Sequence, residues 1–168
     1  MRPIAVVLCV LAAACGSQSV NSPTSPTGTG LGSTRAQGGT EVPFRGSFTT
    51  ATQVPPPSPR ATLQGTAVLL GQFTGRLAAE VNPDSSGTGT FTFIAANGDE
   101  LSGTFVGQGV FIPPNTARLT EVATIVSGTG RFAGATGTFT MERFDTIDWA
   151  TGTATGTGTF EGQINLNK

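Results

Sequence analysis

The chain has 168 residues, and its nine Lys and Arg side chains against ten Asp and Glu give a formal net charge of −1. A chain with this charge has no excess of Lys and Arg to contact the phosphates of a nucleic acid. Electrostatic binding of nucleic acid is therefore excluded. Histidine and tyrosine are absent, which removes the commonest general base and transition-metal ligand and excludes a Ser-His-Asp triad, so we predict neither a metal nor another cofactor.

The N-terminal segment has the pattern of an export signal. Arg2 supplies a positive charge, an apolar run extends from Ile4 to Leu11, and three alanines precede Cys15. This order is typical of a signal peptide, and the apolar run is too short for a membrane-spanning helix. Small residues directly before a cysteine resemble a bacterial lipoprotein signal, which implies removal of residues 1–14 and lipidation of Cys15.

The same segment predicts where the protein resides. A lipid on Cys15 would anchor the chain to a bacterial membrane on its extracytoplasmic side, so the membrane is a predicted partner. The next residue is Gly16 and not an aspartate that would favour inner-membrane retention, so the outer membrane is favoured in a diderm. Because Ala12 and Ala14 also suit ordinary signal peptidase cleavage, simple secretion stays open.

The segment after the signal has no apolar periodicity. Residues 15–42 are rich in Ser, Thr, Gly and Pro, a composition typical of a flexible tether. All eleven phenylalanines lie beyond Pro43, and disordered segments are poor in aromatic residues. We therefore predict a disordered tether over residues 15–42 and a single folded domain over residues 43–168.

From Pro43 onward, apolar or glycine residues alternate with polar residues, many of them threonine. Alternation with a period of two predicts strands that have one buried face. The predicted strands are, in chain order, Phe44–Val54, Ala61–Leu70, Gly71–Val81, Gly87–Ala95, Leu101–Gly107, Arg118–Val126, Thr136–Phe144 and Gly152–Asn167.

Turn residues separate these strands, and no segment has helical periodicity. Asn97-Gly98, between the fourth and fifth strands, is a strong hairpin signal. Strands joined in this way predict an all-β fold, either an antiparallel sandwich or a barrel. We favour an eight-stranded antiparallel up-and-down β-barrel, because closure removes exposed sheet edges.

The interior of this barrel is the predicted binding site. A barrel of eight strands is just wide enough to be filled by side chains or to hold one small ligand, and the sequence leaves both options open. The apolar inward positions make a small hydrophobic molecule the predicted ligand. The candidate binding residues are Phe91, Phe93, Phe105, Phe139 and Arg143.

Glu121 is the candidate catalytic residue. It shares an alternation face with Leu119 and Ala123, and a carboxylate inside an apolar barrel would have a raised pKa and could act as an acid, a base or a ligand anchor. If the opposite face points inward, Glu121 lies in solvent. A third interpretation pairs it structurally with Arg143, which falls on the face of Phe139.

Three acidic residues near the end of the seventh strand are candidates for a metal site. Glu142, Asp145 and Asp148 lie close together in sequence, and such carboxylates can bind Ca²⁺. The ordered calcium-binding loop with its glycine is absent, so we interpret them as a solvated acidic turn.

The glycine-rich stretch Ser127–Gly137, SGTGRFAGATG, resembles the GGTGRFxGAxG sequence of dirigent proteins and allene oxide cyclases, which are calycin-like barrels. The chain is also similar to uncharacterised bacterial exported barrel proteins, in TFTFIAANGDELSGTF (Thr90–Phe105) and GTFEGQI (Gly158–Ile164). The resemblance implies a barrel that binds small hydrophobic molecules. No active-site residue of the plant enzymes matches a position here, so their activity is not implied.

These observations together predict an exported, lipid-anchored surface barrel with a non-enzymatic role, which binds a small hydrophobic ligand. Two alternatives stay open. One is an isomerase or cyclase that uses Glu121 inside the barrel, and the other is a structural or adhesion protein that uses the threonine-rich outer surface.

Overall fold

The computed structural model describes residues 40–54 and 58–166 of the chain. The predicted signal peptide, the lipidation site at Cys15 and most of the predicted tether lie outside these residues. The first strand begins at Thr40, before the predicted domain start at Pro43. No helix among the described residues is long and apolar enough to cross a membrane.

Eight antiparallel strands form a closed barrel in simple chain order, which confirms the predicted up-and-down fold. The first strand pairs with the last along its whole length, from Thr40 opposite Leu166 to Gln53 opposite Thr153, and this pairing closes the sheet. The strands are β1 (Thr40–Gln53), β2 (Arg60–Ala67), β3 (Gly71–Val81), β4 (Ser86–Ala95), β5 (Glu100–Ile112), β6 (Thr116–Gly128), β7 (Thr136–Asp148) and β8 (Thr153–Leu166).

The connection between β2 and β3 differs from the sequence prediction. The apolar run that ends at Leu70 predicts a strand up to that residue, but β2 ends at Ala67 and residues 68–70 form a turn. Leu69 has a φ of 77°, a conformation that strands do not use. The turn lets Leu70 bury its side chain in the core, where it is almost fully covered.

One end of the barrel, which we call the plugged end, is closed by side chains from its turns. The glycine-rich stretch forms a short 3₁₀ helix, Gly130–Phe132, which periodicity does not predict, and Phe132 is fully buried. Arg131 donates a hydrogen bond from Nη2 to the Leu70 carbonyl at 3.4 Å, and its Nε lies 3.6 Å from Asp99 Oδ2. This corner therefore joins the turns that cover the interior.

The opposite end, which we call the mouth, carries the connections 82–85, 113–115 and 149–152. Val81 and Phe111 continue the inward-facing series of β3 and β5, yet they are 38% and 50% exposed. The described residues at this end thus leave apolar side chains in contact with solvent.

Phenylalanine rings fill the interior between the middle of the barrel and the plugged end. Phe93 is fully buried, and its ring centroid lies 5.0 Å from that of Phe73, 5.1 Å from Phe91 and 5.6 Å from Phe160. Inward-facing glycine makes room for these rings, since a Cβ on Gly103 would lie 2.6 Å from the Phe91 ring. This part of the lumen is therefore packed with side chains.

Candidate functional site

A cluster of polar side chains occupies the half of the lumen next to the mouth. Its members lie at inward positions of β1, β6 and β7, and each is buried. Thr52 lies opposite Ala154 near the end of β1, and Asp145 lies opposite Gly156, so the cluster is on the mouth side of the phenylalanine rings. The mouth cluster consists of Thr50, Thr52, Glu121, Arg143 and Asp145.

Arg143 lies between the two carboxylates of this cluster. Its Nη2 is 3.2 Å from Glu121 Oε1, and its Nη1 is 3.3 Å from Asp145 Oδ2. Thr50 donates a hydrogen bond from Oγ1 to Asp145 Oδ1 at 2.8 Å. One guanidinium group therefore links β6 to β7, and Asp145 links β7 to β1.

Glycines on neighbouring strands provide the space for these charged side chains. A Cβ on Gly107 would lie 2.7 Å from Glu121 Cγ, and a Cβ on Gly158 would lie 2.8 Å from Arg143 Cβ. A side chain at either position would collide with the mouth cluster. The glycines of the inner face thus make room for phenylalanine rings in one half of the barrel and for the charged side chains of the mouth cluster in the other.

Burial determines the protonation behaviour of Glu121, which is 3% exposed. Desolvation is the largest influence and raises its pKa; the Arg143 charge lowers it and the Asp145 charge raises it again, with a net rise. Glu121 therefore takes up a proton more readily than an ordinary glutamate. A protonated carboxyl group can donate a hydrogen bond as well as accept one.

Several polar atoms of the mouth cluster have no hydrogen-bond partner among the described residues. They are Glu121 Oε2, Arg143 Nε and Nη1, and Thr52 Oγ1. Arg143 Nη1 is close enough to Asp145 for an ion pair, but the angles do not make a hydrogen bond. A buried polar group without a partner typically costs about 1–3 kcal/mol. These atoms therefore retain hydrogen-bonding capacity for a bound molecule.

Apolar side chains surround the approach to this cluster. The rings of Phe111 and Trp149 meet edge to face at 5.9 Å, and Phe111 lies at an inward-facing position of β5 near the mouth. Ile147, at the end of the inward series of β7, is buried just inside. A molecule that enters the mouth would thus meet apolar walls before the polar atoms.

The structure places the predicted ligand residues in two different environments. Phe91 and Phe93 are in ring contact with Phe139, at 5.2 and 6.0 Å, and Phe105 is buried on the same inner face. Arg143 belongs instead to the mouth cluster. Whether any of them binds a ligand stays a prediction.

The structure also settles the direction of Glu121, which the sequence left open: its carboxylate faces the lumen and contacts Arg143. The sequence analysis did not identify Thr50 or Thr52, and it was wrong about Asp145, which it interpreted as part of a solvated acidic turn but which is buried. The predicted seventh strand ended at Phe144, whereas β7 continues to Asp148. Extending the alternation past Phe144 would have placed Asp145 on the inner face.

The acidic residues considered as a calcium site do not converge. Asp145 faces the lumen, while Glu142 lies on the outer surface, 3.6 Å from Arg118. Asp148 accepts a hydrogen bond from the Ala150 amide in the last turn. The described ranges 40–54 and 58–166 contain no group of three or more His, Cys, Asp or Glu side chains that could hold a metal ion.

No family model matches the chain, and no curated protein matches it either. A solved structure of the pterocarpan synthase dirigent protein GePTS1 is similar to it, with a TM-score of 0.45 and 15% sequence identity. The likeness covers 82% of this chain and 99% of that one. The closed barrel is established by the pairing of its eight strands and not by this likeness.

Proposed function

We propose that the protein is an exported, lipid-anchored barrel that binds a small molecule at its mouth without transforming it. The observation that carries this proposal is the mouth cluster, in which four buried polar atoms lack a hydrogen-bond partner among the described residues. Groups of this kind reduce stability when they remain unpaired. A ligand that supplied the missing hydrogen bonds would recover that loss, and buried charges with shifted pKa values are frequent at binding sites.

The charges of the mouth cluster favour a neutral ligand. The cluster holds one cation, Arg143, against the carboxylates of Asp145 and Glu121, and the raised pKa of Glu121 shifts its net charge towards zero. A charged ligand would bring an uncompensated charge into a buried site, which is strongly unfavourable. We therefore propose a molecule with an apolar body and one carbonyl or hydroxyl oxygen. Its body would contact Val81 and Phe111, and its oxygen would first meet Thr52.

Ligand binding can be tested with 2-naphthol and naphthalene, which share an apolar body but differ by one hydroxyl. Trp149 is the only tryptophan of the chain and tyrosine is absent, so the protein's emission reports on the mouth. We expect 2-naphthol to change this emission saturably and to bind more tightly than naphthalene. Thr52→Val, which removes an unpaired hydroxyl while keeping the shape, should weaken 2-naphthol binding about three- to tenfold.

The matched control is Thr157→Val on the outer face of β8, which should leave both affinities unchanged. Naphthalene binding should be the same in Thr52→Val and the wild type. Equal affinity of the wild type for both probes would contradict recognition of the oxygen. If neither probe changes the Trp149 emission, ligand binding at the mouth is wrong.

Lipid anchoring is tested separately, at Cys15. We expect the wild-type protein to incorporate an alkyne-tagged palmitate during growth and to sediment with membranes. Cys15→Ser should lose the label, because the thiol is the acceptor, whereas Cys9→Ser should keep it. An unlabelled wild-type protein in the culture medium would instead indicate simple secretion.

A further inference from the structure

The outer surface of the barrel has two chemically different sides. The strands β8, β1 and β2 present mainly threonine, serine and glutamine to solvent. Large exposed apolar side chains concentrate on β5, β6, β7 and the turn that follows. Of the ten exposed large hydrophobic residues described, eight lie on these elements: Phe111 and Trp149 at the mouth, and six that face outward, Val106, Val110, Ile112, Val122, Val126 and Phe144.

The centre of this side, which we call the valine face, is formed by Val106, Val110, Val122 and Phe144. Val106 lies directly opposite Val122 in the β5–β6 register, and each is about half exposed. Val110 and Phe144 lie on either side of Arg118 in one row across β5, β6 and β7. Exposed apolar groups at this density on one surface are typical of an interaction site.

The charges on the valine face are balanced. Arg118 lies 3.6 Å from Glu142, and about half of each side chain is exposed. Exposed ion pairs contribute little to the stability of a single chain. Both groups are therefore available to a partner surface that offers one charge of each sign.

We propose that the valine face is the interface of a homodimer with two-fold symmetry. In such a dimer the same patch meets itself, so Arg118 of one protomer can pair with the partner subunit's Glu142, and the reverse pair forms as well. The apolar side chains then cover each other. A copy of this chain thus matches both the apolar groups and the charges of the face.

Other occupants fit the face less well. Residues 16–39 contain Val20 and Leu31 as their only large apolar side chains, too few to cover it. A membrane surface with anionic lipids attracts clusters of Lys and Arg, whereas this face carries a single cation, Arg118, beside an acidic residue, Glu142, that anionic headgroups would repel.

The test is the mass of the mature protein by sedimentation equilibrium, in a detergent whose density matches the solvent. We expect the wild type to be a dimer and Val122→Lys to weaken association at least about tenfold, because a lysine ammonium would be buried in an apolar contact. The matched control is Thr66→Lys on the outer face of β2, three strands away from β7, which should remain dimeric. Far-UV circular dichroism checks that each variant is folded.

A charge exchange tests the geometry of the interface. Arg118→Glu alone should weaken association, because it places two glutamates opposite each other across the dimer, and Glu142→Arg alone should weaken it in the same way. The double variant should recover the wild-type association. A wild-type protein that is monomeric at every concentration would overturn the proposal, as would equal effects of Val122→Lys and Thr66→Lys, or a double variant that stays dissociated.

Discussion

Replacing Phe93 by serine is expected to lower the free energy of unfolding by about 3–5 kcal/mol, a large part of the stability of a typical domain. Phe93 is fully buried and touches the rings of Phe73, Phe91 and Phe160. The substitution removes those contacts, leaves a cavity and buries a hydroxyl group without a designed partner. Urea unfolding followed by far-UV circular dichroism measures the loss.

The control for this experiment is Thr157→Ser. Thr157 lies on the outer face of β8 and is exposed, so we expect a change within about 0.5 kcal/mol. If both substitutions shift the unfolding midpoint by the same amount, the assignment of the phenylalanine face to the interior is wrong.

The second large effect is expected from Arg143→Met. This substitution keeps a long side chain but removes the cation between two buried carboxylates, Glu121 and Asp145. Breaking a buried ion pair by removal of one partner typically costs about 3–5 kcal/mol. Urea unfolding at neutral pH measures this loss, and the exposed Arg76→Met on β3 serves as the control, with an expected change within about 0.5 kcal/mol.

The loss in Arg143→Met should depend on pH in a defined direction. The pKa of Glu121 is already above its ordinary value of 4.5, and the Arg143 charge is what lowers it most. Without that charge the pKa rises further, so the folded state binds a proton that the unfolded state releases. Stability then falls as pH rises from 4.5 through the folded-state pKa, and the loss is relieved at lower pH. A loss that grows on acidification would contradict this account.

The sequence predicts the barrel well because the alternation of apolar and polar residues along each strand is a strong and local signal. Phe91, Phe93 and Phe139 share one alternation phase with glycines along their strands, and the structure places all three inside. The turn at residues 68–70 was not predictable in this way, because Leu69 adopts a positive φ that its residue type disfavours. Burial of Leu70 offsets the unfavourable conformation of Leu69. That burial depends on residues of the plugged end that are distant in sequence, so the local pattern does not reveal it.

The mouth cluster could be predicted only in part. Alternation gives two possible phases for β6, and one places Glu121 inside while the other exposes it. The choice depends on Arg143, which lies on a different strand and meets Glu121 only through the β6–β7 register. Register between strands follows from the complete sheet, so a pattern read along one strand cannot supply it.

The pairing of β1 with β8 has a further consequence. Thr40 and Leu166 are direct neighbours in the sheet, so the chain enters and leaves the barrel side by side, at the plugged end. Circular permutation is favoured when termini are this close: a short linker could join them, and new ends could be opened in the exposed turn at 149–152. The mouth therefore lies at the end of the barrel opposite to the one where β1 begins and β8 ends.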